Sequence, residues 1–191
     1  MHFIQPIIEL DQIIFLFLNG FHTLWLDPIM WVISSTTFWY PFYAVLIGCM
    51  ILKRRKDIWV TLLVVTLMII LSDQSADWIK DHVHRLRPTH NPSIAGLVHT
   101  VNGYRGGDYG FVSSHASNAF AVAVFTSFFF TRRWITSLMV VWALIISYSR
   151  IYLGVHYPLD VIVGGLSGCV AGSLMFYLDQ WVVRKINPID T

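Results

Sequence analysis

Three short segments of the 191-residue chain gather side chains suited to work on a phosphate group. The first runs from Lys80 to Arg87-Pro88, with the two cations seven residues apart. The second, Val112-Ser113-Ser114-His115, lies where a polar stretch gives way to an apolar one. The third begins at Ser149-Arg150 and ends at His156-Tyr157-Pro158-Leu159-Asp160. A phosphate monoester or diphosphate carries two or more negative charges and needs several fixed cations. Lys80, Arg87 and Arg150 supply three, and arginine forks match phosphate oxygens bidentately. A helix opening near Ser113 adds backbone amides and the positive end of a helix dipole, with the Ser113 hydroxyl as phosphate donor or N-cap. Fixed donors of this kind stabilise charge developing on a transferred phosphoryl group. His156 and Asp160 stand four apart around Pro158, so the carboxylate can turn back onto the ring.

The elements that must hold these residues are membrane helices. The chain is 55% hydrophobic and only 13% charged, with mean hydropathy +0.60, about half the charge of an ordinary soluble domain. This excludes a disordered chain, a disulfide scaffold and a nucleic-acid binder. Cys49 and Cys169 sit in apolar runs and read as small packing residues. The first 20 residues contain no Lys or Arg, so a cleavable signal peptide is not expected. Residues 8–20 alternate in polarity and suit a helix lying in the membrane interface. Asp27-Pro28 reads as an N-cap with proline at the first helical position, opening a span to Leu52 that is bent at Pro41. The apolar run from Ile58 to Leu71 covers only about 20 Å, short of the ~30 Å hydrocarbon core, so its helix must continue through Ser72–Ile79. That carries Asp73 and Asp77 toward the far side, where pairing with Lys or Arg is their expected role. Residues 80–112 are polar and without helical periodicity. Further spans follow at 116–131, 134–148 and 159–181, the last with Gly164, Gly165, Gly168 and Gly172 at a spacing for close helix packing. The expected architecture is an all-α polytopic bundle of five to six transmembrane helices with an N-terminal interfacial helix. It divides into residues 1–26, a transmembrane domain over 27–181 with its loop at 80–112, and a tail at 182–191.

Alternation of five spans places Lys53, Arg54, Arg55, Lys56, Arg132, Arg133, Arg184 and Lys185 on one side, which the positive-inside rule makes cytoplasmic. Lys80, Arg85, Arg87, Arg105 and Arg150 fall on the other, together with His115 and His156. Ionisable residues gathered from several spans onto one face mark a functional site.

In these motifs the chain resembles the type 2 phosphatidic acid phosphatase (PAP2) family, whose lipid phosphatases share an active site with vanadium haloperoxidases. The family pattern is Lys, six residues, Arg-Pro; then Pro-Ser-Gly-His; then Ser-Arg, five residues, His, three residues, Asp. The first and third segments match completely. The resemblance implies that His156 is the nucleophile forming a phosphohistidine, and that Asp160 orients its ring. It implies that His115 is general acid and then general base, and that Lys80, Arg87, Ser113, Ser114 and Arg150 hold the phosphate without metal or other cofactor. The second segment departs from the pattern, with Val112 for proline and Ser114 for glycine, which puts a Cβ where an amide should approach phosphate.

Other polar residues carry blander expectations. Arg85 lies off the motif and reads as a snorkelling interfacial cation. His82, His84, His90 and His99, without cysteine, read as a polar or substrate-contacting surface rather than a zinc site. Arg105, between glycines, either touches a lipid headgroup or is solvated. The resemblance implies a multi-pass inner-membrane phosphatase whose site faces the periplasm or exterior. Its partners would be the bilayer and a phosphorylated lipid: lipid A phosphate or undecaprenyl diphosphate first, phosphatidic acid or phosphatidylglycerol phosphate next. Phosphate transfer to another lipid, or lipid binding without catalysis, are the alternatives; the sequence leaves oligomeric state open.

Overall fold

A computed structural model describes residues 5–187, and among them every regular element is a helix. In chain order these are α1 (Gln5–Asn19), α2 (Asp27–Ser34), α3 (Tyr40–Lys53), α4 (Ile58–Val83), α5 (Ser114–Phe130), α6 (Arg133–Tyr152) and α7 (Pro158–Ile186), with short 3-10 turns between. Four helical segments are long and apolar enough to cross a bilayer: Thr36–Lys53, Ile58–Val83, Arg133–Tyr152 and Pro158–Ile186. The chain is a multi-pass membrane protein. α5, expected as a further span, has 17 residues and packs against α4, α6 and α7.

The tightest packing is between α5 and α7, and the glycines of α7 are its cause. A Cβ placed on Gly168 would stand 2.1 Å from the Ser117 carbonyl oxygen, and one on Gly164 would stand 2.6 Å from that of Ser113. Only a residue without a side chain admits that approach. It brings the start of α7, with Asp160, onto the start of α5, where the Ser113 amide donates to the Asp160 carbonyl at 3.0 Å.

The two ends of the bundle differ in charge as the spacing of basic residues predicts. At one end Arg54 pairs with the buried Asp179 at 2.5 Å, and Lys53 reaches the carbonyl of Phe129 at the end of α5. At the other, Lys80, Arg85, Arg87 and Arg150 meet the starts of α5 and α7 and the end of α2.

Three local expectations are corrected. The stretch from residue 28 is not one helix bent at Pro41. It breaks at Ser35, which is extended, passes through a 3-10 turn at Thr36–Trp39 and restarts as α3. Pro41 sits in the first turn of α3, where its missing N–H has no partner to lose, so it starts a helix instead of bending one. Asp27 is not the cap of α2; Leu26 occupies that position, and the Asp27 carboxylate accepts from Tyr152 Oη at 2.6 Å and lies 2.9 Å from His99 Nε2. The 80–112 segment also starts later than its composition indicates. α4 continues to Val83, so Lys80 projects from a helix, and His84 closes that helix in the left-handed conformation.

α1 meets the same end of the bundle at its middle and at its C-terminal end. Asp11 accepts from the amide of Leu159 at the start of α7, at 2.9 Å. Asn19 Nδ2 donates to the carbonyls of Ile151 and Tyr152 at the end of α6, at 3.1 and 2.8 Å. The helix therefore lies across the bundle end, with Ile7, Leu10, Ile13 and Phe17 exposed on its outer side.

Candidate active site

A cleft of about 560 Å³ opens at the charged end, with Lys80, Arg87, His115, Arg150 and His156 at its head. Its remaining walls are largely apolar, with Tyr43 and Met50 from α3, Val65 and Ile69 from α4, and Val122 and Phe125 from α5. α3 stands off because it is held from behind. Trp39, Phe42 and Tyr43 pack on Trp142 of α6 at ring separations of 5.8, 5.1 and 6.0 Å, leaving the space toward α4 unfilled.

Each sequence-predicted cation reaches the head of the cleft by a separate element. Lys80, one turn from the end of α4, donates to Ser114 Oγ at 2.6 Å and to Asp77 Oδ1 at 2.8 Å. Asp77 thus pairs with Lys80 as expected, but Asp73 does not take a cation; it accepts from Asn118 Nδ2 at 2.7 Å. Arg87 leaves the loop beside Gly106, whose φ of +69° and bare Cα accommodate the guanidinium. It donates to the carbonyls of Tyr109 and Val155 at 3.1 and 3.2 Å. Arg150 is 4% exposed and donates to Ser34 Oγ and to Tyr104 Oη, while its Nε has no partner. Ser34 is the last residue of α2, directly before the break at Ser35.

The geometry fixes the tautomer of His156. Arg87 Nη1 lies 3.3 Å from His156 Nε2, and a guanidinium can only donate, so Nε2 carries its lone pair and the ring proton is on Nδ1. Burial, followed by the fields of Arg87, Arg150 and Lys80, holds the ring well below the ordinary histidine range and therefore neutral. A neutral imidazole whose unprotonated Nε2 faces the Arg87 guanidinium at the head of the cleft has the form a nucleophile toward phosphorus requires.

Asp160 sits near that ring but is not bonded to it. Its Oδ2 is 3.6 Å from Nδ1, beyond hydrogen-bond range, and Nδ1 has no partner. The carboxylate is occupied elsewhere: Oδ2 accepts from the Tyr157 amide at 2.9 Å and Oδ1 from Arg85 at 2.7 Å. Arg85 is thus no snorkelling interfacial residue. It bridges Asp160 to Asp11 at 2.5 Å and stacks on the Tyr157 ring at 4.2 Å. Sequence reasoning missed both Arg85 and Asp11; the only available signal was an acid interrupting the first apolar stretch. Arg85→Met would leave two buried carboxylates without a cation. It should lower stability by about 3 kcal/mol, read as a drop in Tm in detergent, and reduce activity with it. Asp11→Asn should cost less, because its amide oxygen can still cap Leu159.

Ser113 is the N-cap of α5, its hydroxyl accepting from the Ala116 amide at 3.4 Å, so of its two expected roles the structure shows the cap. Ser114 is the first residue of α5 and its added side chain serves as the acceptor for Lys80. Arg105 is exposed, and its Nη2 donates to the carbonyl of Thr89, whose hydroxyl returns a bond to the Arg105 carbonyl at 2.9 Å. His82 stacks on Trp78 and His99 on His22, at 4.0 and 3.8 Å.

Residues 59–184 match the PAP2 superfamily, a stretch that contains every residue at the head of the cleft. The chain is similar to the lipid A 4'-phosphatase of Bacteroides thetaiotaomicron, 36% identical over 96% of this chain and 83% of that one. It is also similar to an undecaprenyl-diphosphatase of Sulfolobus acidocaldarius, 32% identical over 79% of this chain and 68% of that one. Its fold resembles the crystal structure of a transmembrane PAP2 type phosphatidylglycerolphosphate phosphatase from Bacillus subtilis, with a TM-score of 0.68 at 24% identity, covering 96% of this chain and 89% of the other. With the cradle, the two histidines and these likenesses together, the chain belongs to the PAP2 superfamily and is a membrane phosphatase.

Proposed function

We propose that the protein removes phosphate from an envelope lipid, lipid A phosphate or undecaprenyl diphosphate, through a phosphohistidine at His156 and without a metal. The observation that carries this reading is the shape of the cleft: a cationic head holding His156 and His115, continued by a largely apolar trough along α4 from Lys80 to Leu62, about 27 Å. A phosphate fits the head while its lipid tail lies in the trough. The names of the two relatives, one acting on lipid A and one on undecaprenyl diphosphate, supply the substrate classes. The segregation of basic residues supports a topology with the catalytic end on the non-cytoplasmic side of the inner membrane and α1 lying in the interface there.

Burial and the fields of the surrounding cations hold the pKa of His115 down to about 3 in the free protein, so it takes up its proton together with the phosphate anion that offsets those cations. In the first step the His156 Nε2 lone pair attacks phosphorus, the bond from phosphorus to the leaving oxygen breaks, and the protonated His115 gives that oxygen its proton. In the second, His115 takes a proton from water as the water oxygen attacks phosphorus; the P–N bond breaks, and inorganic phosphate leaves. Lys80, Arg87 and Arg150 neutralise the equatorial oxygens throughout, the charge stabilisation that a metal supplies in other phosphatases. Asp160 faces the Nδ1 proton and steadies the charge the ring acquires on phosphorylation.

The test is phosphate release by the purified chain in detergent with EDTA, against lipid A, undecaprenyl diphosphate, phosphatidic acid and phosphatidylglycerol phosphate. Release that persists in EDTA is expected from one of the first two. Release abolished by EDTA and restored by Mg²⁺, or none from any lipid, would overturn the reading.

A further inference from the structure

The trough is not uniformly apolar. Just beneath the cradle, Asp73 of α4 and Asn118 of α5 both line it. Asn118 Nδ2 donates to Asp73 Oδ1 at 2.7 Å. Because a carboxylate only accepts, the amide nitrogen must face Asp73, and Asn118 Oδ1 is left buried with no hydrogen-bond partner. None of the ion pairs among the described residues includes Asp73. A carboxylate on the wall of an intramembrane cleft, without a cation and next to an unsatisfied acceptor, is costly unless it is used. Holding α4 against α5 does not require it, since Ser72 and Ser117 already bond across that contact at 2.8 Å.

Their depth says what they meet. Asp73 lies two turns of α4 from Lys80, about 10 Å, and Asn118 one turn of α5 from Ser114, about 6 Å. With a phosphate in the cradle, this is the level of the group bonded to that phosphate. Above it, Asp77 already carries a second carboxylate, with Oδ1 on Lys80.

We propose that Asp73 and Asn118 are specificity residues that select a leaving group rich in hydroxyl or amide N–H donors, the sugar of a phosphorylated glycolipid, over a polyprenyl diphosphate. This inference rests on the function proposed above and chooses between its two substrate classes. A sugar brings donors to the free acceptors of Asp73 and Asn118. When a diphosphate is cleaved, the leaving group is itself a phosphate anion, and at this level it would stand against the carboxylates of Asp73 and Asp77. Repulsion of the wrong ligand thus adds to recognition of the right one.

The experiment measures kcat/KM of the purified full chain for lipid A phosphorylated on its sugar and for undecaprenyl diphosphate, with wild type, Asp73→Leu, Asp73→Asn and Asn118→Leu in parallel. Wild type should favour the glycolipid at least tenfold. Asp73→Leu and Asn118→Leu should each shrink that ratio about tenfold. Asp73→Asn keeps an acceptor and removes a charge, so it should raise diphosphate cleavage more than it changes glycolipid cleavage. Each sample's melting curve reports folding; if Asp73→Leu does not fold, the other two variants decide the matter. Equal losses on both substrates in every variant, or a wild type that prefers the diphosphate, would overturn the inference alone. A wild type inactive on both substrates would remove the underlying function and the inference with it.

Discussion

His156→Ala should lower phosphate release by about 10⁴-fold or more, the scale seen when a covalent nucleophile is removed from a site whose parts act as a unit. His115→Ala should behave differently according to the leaving group. With a lipid alkoxide both steps need its proton, and activity should fall by about 10²- to 10⁴-fold. With an aryl phosphate the leaving oxygen needs no acid, so only the hydrolytic step is slowed and phosphate should accumulate on the protein. That label should be stable in alkali, labile in acid and absent from His156→Ala. Label persisting in the alanine variant would remove His156 from the role proposed for it.

The state of His156 carries its own pH signature. Burial and the three cations keep its folded pKa below the unfolded value, about 6.5 for an ordinary histidine. Above that pH both states are neutral and the group costs nothing. As pH falls below it, the unfolded chain binds a proton that the folded protein resists, so stability declines toward the folded pKa. Tm in detergent should therefore drop more steeply below pH 6.5 for wild type than for His156→Ala, and the difference between the two curves isolates this residue.

How much of this was legible in the sequence depended on whether a residue's task was local. Lys80, Arg87, Arg150, His115 and His156 are set by short spacings and by which end of a helix they occupy, and the structure brings them to one cleft. The glycines of α7 were equally readable, because a helical repeat of small residues has one main use. What could not be read depends on contacts between distant segments. Arg85 joins Asp11 and Asp160, residues 74 and 75 positions away, and no spacing announces that. The separation of Asp160 from the His156 ring follows from the same bridge: the four-residue spacing permits contact, but Arg85 and the Tyr157 amide take the carboxylate oxygens first. The bond beside the break at Ser35 was hidden because its partner lies in α6, where Arg150 donates to the Ser34 hydroxyl.

That dependence makes Arg150 the second site of large effect. Arg150→Lys keeps the charge but loses the fork: a lysine can replace one of the bonds to Ser34, Tyr104 and phosphate, not all three. Loss of one preorganised donor to a transferring group costs about 10²- to 10³-fold in kcat, or roughly 3–4 kcal/mol, and Arg150→Lys should fall in that range. Arg150→Met, which removes the charge as well, should fall further. Ser34→Ala and Tyr104→Phe leave the guanidinium in place and remove only what aims it, so each should lose less, about tenfold. Tyr104 also reports the state of the arginine. Burial raises its phenol, yet the bond from Arg150 and the fields of Arg150 and Arg87 outweigh this and bring it below its ordinary value. In Arg150→Met that lowering should shrink, and the tyrosinate absorbance of Tyr104, isolated by difference from Tyr104→Phe, should move to higher pH. An unshifted phenol together with lost activity would mean that Arg150 acts on the phosphate without the Tyr104 contact, and that the loop carrying Tyr104 is not part of the cradle.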